Sequence, residues 1–135
     1  MRTKHFPRKL LLSAMILLAV LFLLPAAAED AAAVVYVTDG GTGNGATPEA
    51  PLGSLSAAYT ALGDAGGTIV IMEKLTLTAH FTEPAHTGAV TVTQEHGGVS
   101  YRQTDDHGLK VTNYRYFLNG PTTFEHITFR GSGQT

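Results

Sequence analysis

Val34–Ile71 reads VVYVTDGGTGNGATPEAPLGSLSAAYTALGDAGGTIVI, and the order of its parts decides the fold. It opens on Val34–Thr38, rich in β-branched and aromatic residues as strands are. Asp39–Pro51 follows as a loop, with four glycines, two prolines, and an Asp and an Asn suited to turns. Ser54 is placed to cap a helix, because its hydroxyl can accept from a free first-turn N–H. Leu55, Ala58, Tyr59 and Leu62 then recur at i, i+3, i+4 and i+7, one apolar helical face. Gly63 stands where a left-handed residue ends a helix. Two turns of helix are unstable alone, so this one must lie on an apolar surface. Thr68–Met72 then begins a second strand of buried type.

From Gly66 onward the pattern stays with strands. The expected runs are Leu75–Phe81, Ala89–Gln94, Leu109–Thr112, Tyr114–Leu118 and Thr123–Phe129. Most are separated by turn residues: Glu83-Pro84, Gly97-Gly98, Asp106-His107-Gly108 and Asn119-Gly120-Pro121. Ile127 and Phe129 share one parity and Phe124 has the other, so burial of all three requires a bend between them. Ile69, Val90, Leu109 and Ile127 begin apolar runs 21, 19 and 18 residues apart. A period near 20 is a solenoid signature, in which each coil buries its apolar face on the next. An antiparallel sandwich also yields a strand every ~8–12 residues. Both architectures stay open on spacing alone.

Upstream, Arg2, Lys4, Arg8 and Lys9 precede an uncharged, largely apolar run of 15 residues, Leu10–Leu24. Pro25 and Ala26-Ala27-Ala28 complete a secretory signal peptide over residues 1–28, cleaved after Ala28. A run of that length spans roughly 22 Å as a helix, short of the ~30 Å hydrocarbon core. Residues 29–33 form a linker and residues 34–135 a single domain. Four of the nine basic residues lie in the leader and all eleven acidic ones beyond it, so the exported part carries five against eleven, a balance of −6. That charge disfavours nucleic acid and anionic lipid. No cysteine is present, so neither disulfides nor thiolate chemistry contribute.

With these pieces in place, Val35–Ile71 resembles the N-terminal segment of right-handed parallel β-helix proteins of the pectate-lyase-like superfamily. The matching residues are Pro51, Ser54, Leu55, Ala58, Gly66, Gly67, Thr68, Ile69 and Ile71; Asn119–Gly131 looks like a later coil. The resemblance implies an all-β fold, a right-handed parallel β-helix with a short N-terminal capping helix, seen here as its incomplete N-terminal part. It also implies that catalytic and binding residues of the family lie on middle coils. Few coils and a chain that stops soon after a strand lead us to expect a piece of a longer protein.

Motifs that carry chemistry are sparse. Gly41-Thr42-Gly43-Asn44-Gly45-Ala46 mimics a dinucleotide loop, but Pro48 and Pro51 separate it from the helix whose N-terminus would have to meet the pyrophosphate. Asp39 with Asn44, and Asp105-Asp106 near Arg102 and Arg115, superficially match the Ca²⁺ and Arg chemistry of the lyases but read as turns. His80, His86, His96, His107 and His126 form no zinc motif. Tyr101, Tyr114, Arg115 and Tyr116 are the candidate glycan-contacting platform, with Tyr114 and Tyr116 two apart on one strand face. The expectation is an exported or cell-surface, monomeric β-helix module. It contacts polysaccharide or cell-envelope glycan, meets the membrane only through its leader, and has no catalytic residue, metal or cofactor in this segment. The alternatives are the N-terminal part of a Ca²⁺-dependent polysaccharide lyase or glycan hydrolase, and a small secreted β-sandwich adhesin.

Overall fold

The computed structural model describes residues 32–102 and 107–131. The expected signal peptide, the start of the linker and Asp105-Asp106 lie outside the described residues. In chain order the elements are β1 (Val34–Val37), α1 (Leu55–Leu62), a 3-10 turn (Gly63–Ala65), β2 (Gly67–Ile71), β3 (Lys74–Thr76), β4 (Phe81–Thr82), β5 (Val90–Thr93), β6 (Glu95–His96), β7 (Val99–Ser100), β8 (Gly108–Lys110), β9 (Tyr116–Phe117), β10 (Thr122–Glu125) and β11 (Phe129–Arg130). Among the described residues the fold is mainly β with one short α-helix.

Among the described residues strand pairing is parallel except in the β6–β7 hairpin. One sheet runs β1-β2-β5-β10, a second β3-β8-β11, and a third pairs β4 with β9. From β2 onward the chain visits the three sheets in rotation, interrupted only by the hairpin. Parallel neighbours cannot be joined by tight turns, so each visit must be followed by a crossover. This order is not that of an antiparallel sandwich.

Register aligns apolar residues in columns. Val35 pairs with Ile69, Ile69 with Val92, and Val92 with Phe124. In the second sheet Leu109 lies between Leu75 and Phe129. In the third, Phe81 pairs with Tyr116. Val35, Ile69, Val92, Leu75 and Leu109 belong to one buried core, and Phe81, Tyr116 and Phe124 pack against it. At ~25 cal/mol per Å² of apolar surface removed from water, these columns are the main source of stability in a cysteine-free chain.

Leu109 therefore corrects the expected 20-residue staircase. It occupies a different sheet from Ile69 and Val90, and the partner of Val90 in β2 is Gly67. The β6–β7 hairpin consumes residues between the first and second sheets, which makes the spacing look regular when the register is not. That hairpin lies over the outward face of the first sheet. His96 and Tyr101 meet the Tyr36 ring edge-on at 6.1 and 6.4 Å. Val70, the register partner of Tyr36, is fully buried although its side chain faces away from the column of Ile69.

Two expected strands are broken. Leu75–Phe81 splits into β3 and β4, with Thr78 and Ala79 exposed at the bend. Thr123–Phe129 splits into β10 and β11 at His126, whose φ is +47°. That bend is the one the parity of Phe124 and Ile127 requires, and both are partly buried; Phe129 instead remains exposed.

Helix α1 follows its sequence signals closely. The Ser54 hydroxyl accepts from the Ala57 N–H, and Leu55, Ala58, Tyr59 and Leu62 are the buried face. Gly63 has the expected positive φ, +62°, but its ψ of −156° lies outside the left-handed helical region; its N–H donates to the Tyr59 carbonyl. The helix packs on β1 and β2. The first sheet's outer edge is closed by the glycine-rich loop. The N–H groups of Tyr36 and Thr38 donate to the carbonyls of Gly45 and Leu52, and Leu52 N–H donates back to Tyr36. Asp39 closes the edge of β3. Its backbone N–H donates to Lys74, and its carboxylate accepts from the Thr76 N–H and hydroxyl at 2.8 and 2.7 Å. Such pairing covers an edge that would otherwise template aggregation. Within the expected linker, the Ala33 carbonyl accepts from Thr68 N–H, extending the pairing one residue before β1.

Candidate functional site

Two polar assemblies stand out, one enclosed and one open. The enclosed one centres on Glu83, just after β4 and only 1% exposed. Tyr59 on α1 donates its hydroxyl proton to Glu83 Oε1 at 2.7 Å. That proton being committed, Tyr116 donates to the Tyr59 oxygen at 2.9 Å. The Asn119 N–H and Thr122 hydroxyl donate to Oε2 at 3.0 and 3.1 Å. His86 Nδ1 faces the Gly88 carbonyl at 2.8 Å and so carries a proton, while its Nε2 sits 3.5 Å from Glu83 Oε2. Burial pushes the Glu83 carboxyl up, but the donors around it more than compensate, and its pKa lies below the ordinary carboxylate value. Burial likewise pushes Tyr59 up to about 12, and Tyr116 upward as well. With Tyr59 and His86 also buried, this network leaves no room for a substrate. It fastens the helix to the β4 and β9 side of the core.

The open assembly is a cleft of about 270 Å³ between the start of α1 and the segment running from β3 to β4. Leu77 and Phe81 line it below; Asp39, Ser54, Ser56 and His80 line its rim. His80 belongs at the same time to an exposed aromatic cluster. Its ring meets Tyr114 at 5.8 Å and Phe117 at 6.4 Å, both edge-on. Tyr114 and Phe117 are 38% and 44% exposed, enough to receive a flat ligand.

The four platform residues do not form one surface. Tyr114 joins His80, and the backbone N–H of Arg115 donates to His80 Nδ1 at 3.0 Å. Tyr116 turns inward, its ring 5.0 Å from Phe81 and 5.5 Å from Phe124. Its hydroxyl joins the Glu83 network, so it does not share a face with Tyr114. The expected strand Tyr114–Leu118 shrinks to β9, and Tyr114 lies outside it. Tyr101 sits with Tyr36 on the hairpin side. Burial, then Tyr36 and Glu49, push the Tyr101 hydroxyl up in pKa.

Nothing local in the sequence marks His80 and Phe117 as neighbours of Tyr114. The alternation within LTLTAHF placed His80 in a strand, whereas the bend at Thr78-Ala79 turns it to the surface. In sequence Glu83 belongs to a Glu-Pro turn, whereas the donors to its carboxylate lie 24 to 39 residues away. Among the described residues no three His, Asp or Glu side chains are grouped to hold a metal, and no helix is long and apolar enough to cross a membrane. Asp39, weighed against a Ca²⁺ loop, is engaged with Thr76. No family model, curated protein or solved structure matches this chain.

Proposed function

We propose that the chain is an exported module of a right-handed parallel β-helix that contacts polysaccharide and carries out no catalysis in this segment. The observation that carries the reading is the rotation of the chain through three parallel sheets, with apolar columns in register. Parallel crossovers within one sheet are right-handed in ~98% of cases, which supplies the hand. Helix α1 and the loop before it act as the cap. A stacked β architecture offers a long, regular flank, and Tyr114, His80 and Phe117 give that flank exposed rings. Aromatic faces suit the C–H faces of sugars for the same reason that they suit each other, broad apolar contact at small entropic cost. The leader, Met1–Ala28, is the basis for export.

Affinity electrophoresis of the secreted protein through gels containing xylan, β-glucan, mannan or pectin tests this reading. At least one polymer should retard it, and Tyr114→Ala or Phe117→Ala should each weaken that retardation about three- to tenfold, the worth of one aromatic contact. Equal mobility of all three proteins in every gel would remove the glycan assignment. N-terminal sequencing of the secreted form should begin at Glu29.

A further inference from the structure

The rim and floor of the cleft differ in chemistry. Leu77 is buried and Phe81 half-buried, while Asp39, Ser54, Ser56 and His80 are exposed. A pyranose ring has the same division, C–H bonds on its faces and hydroxyls around its edge. The volume, about 270 Å³, lies just below the ~300–1,000 Å³ of typical small-molecule sites, so it holds one ring and not several.

The hydrogen-bonding groups are already oriented. Thr76 holds both oxygens of the Asp39 carboxylate, leaving each with spare lone-pair capacity toward solvent. The Arg115 N–H can only donate, so His80 Nδ1 accepts and the ring proton resides on Nε2. The lining of the cleft thus includes a group that accepts, Asp39, and a group that donates, His80, and sugar hydroxyls can bond to both. The Asp39 charge disfavours a ligand that brings its own carboxylate.

We propose that this cleft binds a single neutral pyranose unit, its C–H face on Leu77 and Phe81 and its hydroxyls shared between Asp39 and His80. The next unit of a chain passes His80 onto Tyr114 and Phe117. This assignment rests on the polysaccharide-contacting reading and names the unit that anchors it.

Titrating methyl β-glucoside, methyl α-mannoside, methyl β-galactoside and methyl β-glucuronide into the ¹⁵N-labelled secreted protein tests it. At least one neutral glycoside should move the amide signals of residues 54–56 and 75–81, and the glucuronide should not. His80→Phe, which keeps a ring but loses the donor, should weaken that binding at least fivefold. Ala79→Trp, at an exposed position on the cleft wall, should abolish it while the rest of the spectrum stays dispersed. Glucuronide binding as tight as the neutral sugars, or unchanged affinity in both variants, overturns the proposal. An oligosaccharide that moves only Tyr114 and Phe117 overturns the cleft and leaves the polysaccharide-contacting flank standing. Silence toward every monosaccharide and oligosaccharide overturns both.

Discussion

The hydroxyl of Tyr59, on the only α-helix among the described residues, donates to the carboxylate of Glu83 at 2.7 Å across 24 residues of chain. This bond joins α1 to the buried segment just after β4. Its acceptor is a buried anion that also accepts from the Asn119 N–H and the Thr122 hydroxyl. Removing one partner from such a group leaves desolvated charge behind, so loss costs more than formation contributes.

Tyr59→Phe keeps the ring packing against Phe81 and His86 and deletes the hydroxyl that donates to Glu83 and accepts from Tyr116. It should lower unfolding free energy by ~1.5–3 kcal/mol, the range for hydrogen bonds to charged groups. Glu83→Ala strands Tyr59, Thr122 and the Asn119 N–H together and should cost more, ~3–5 kcal/mol. Urea denaturation followed by circular dichroism measures both. A Tyr59→Phe variant with an unchanged midpoint would show that the bond contributes nothing net.

The same network makes stability depend on pH at both extremes. Glu83 has a lowered folded-state pKa, so its contribution is present above the unfolded value, ~4.3, and is lost as pH falls through the folded one. Tyr59 has a raised value, about 12, so its contribution is present below the unfolded value of ~10 and is lost as pH rises through about 12. Tyr116 shifts the same way. Thermal melting should therefore show a plateau between about pH 5 and 9 and decline on either side. Glu83→Gln should flatten the acid limb, and Tyr59→Phe should flatten part of the alkaline one. An acid limb of the same slope in Glu83→Gln would assign it to other carboxylates.

Gly88 sets a third expectation. A Cβ there would strike the backbone carbonyl of Ala65, because the turn before β5 stacks directly on the turn before β2. Backbone cannot swing aside as a side chain does. Gly88→Ala should cost ~1–3 kcal/mol, as overpacking does, while Gly131→Ala, where a Cβ meets nothing, should be nearly neutral. Comparable midpoints for the two variants in denaturant would mean that the turns do not stack this closely.

The amino-acid sequence alone determined the elements whose causes lie within a few residues: the Ser54 cap, the buried face Leu55–Ala58–Tyr59–Leu62, the loop that follows β1, and the bend demanded by the parity of Phe124 and Ile127. Backbone preference and hydrophobic period act at that range, so they are legible without coordinates. The tertiary structure alone decided that Leu109 stands beside Leu75 and not in line with Ile69, because an inserted hairpin alters register without altering the spacing of apolar runs. It alone turned the Tyr116 hydroxyl inward to Tyr59 and brought Tyr114 to His80, since those encounters join residues 57 and 34 positions apart that no local pattern connects.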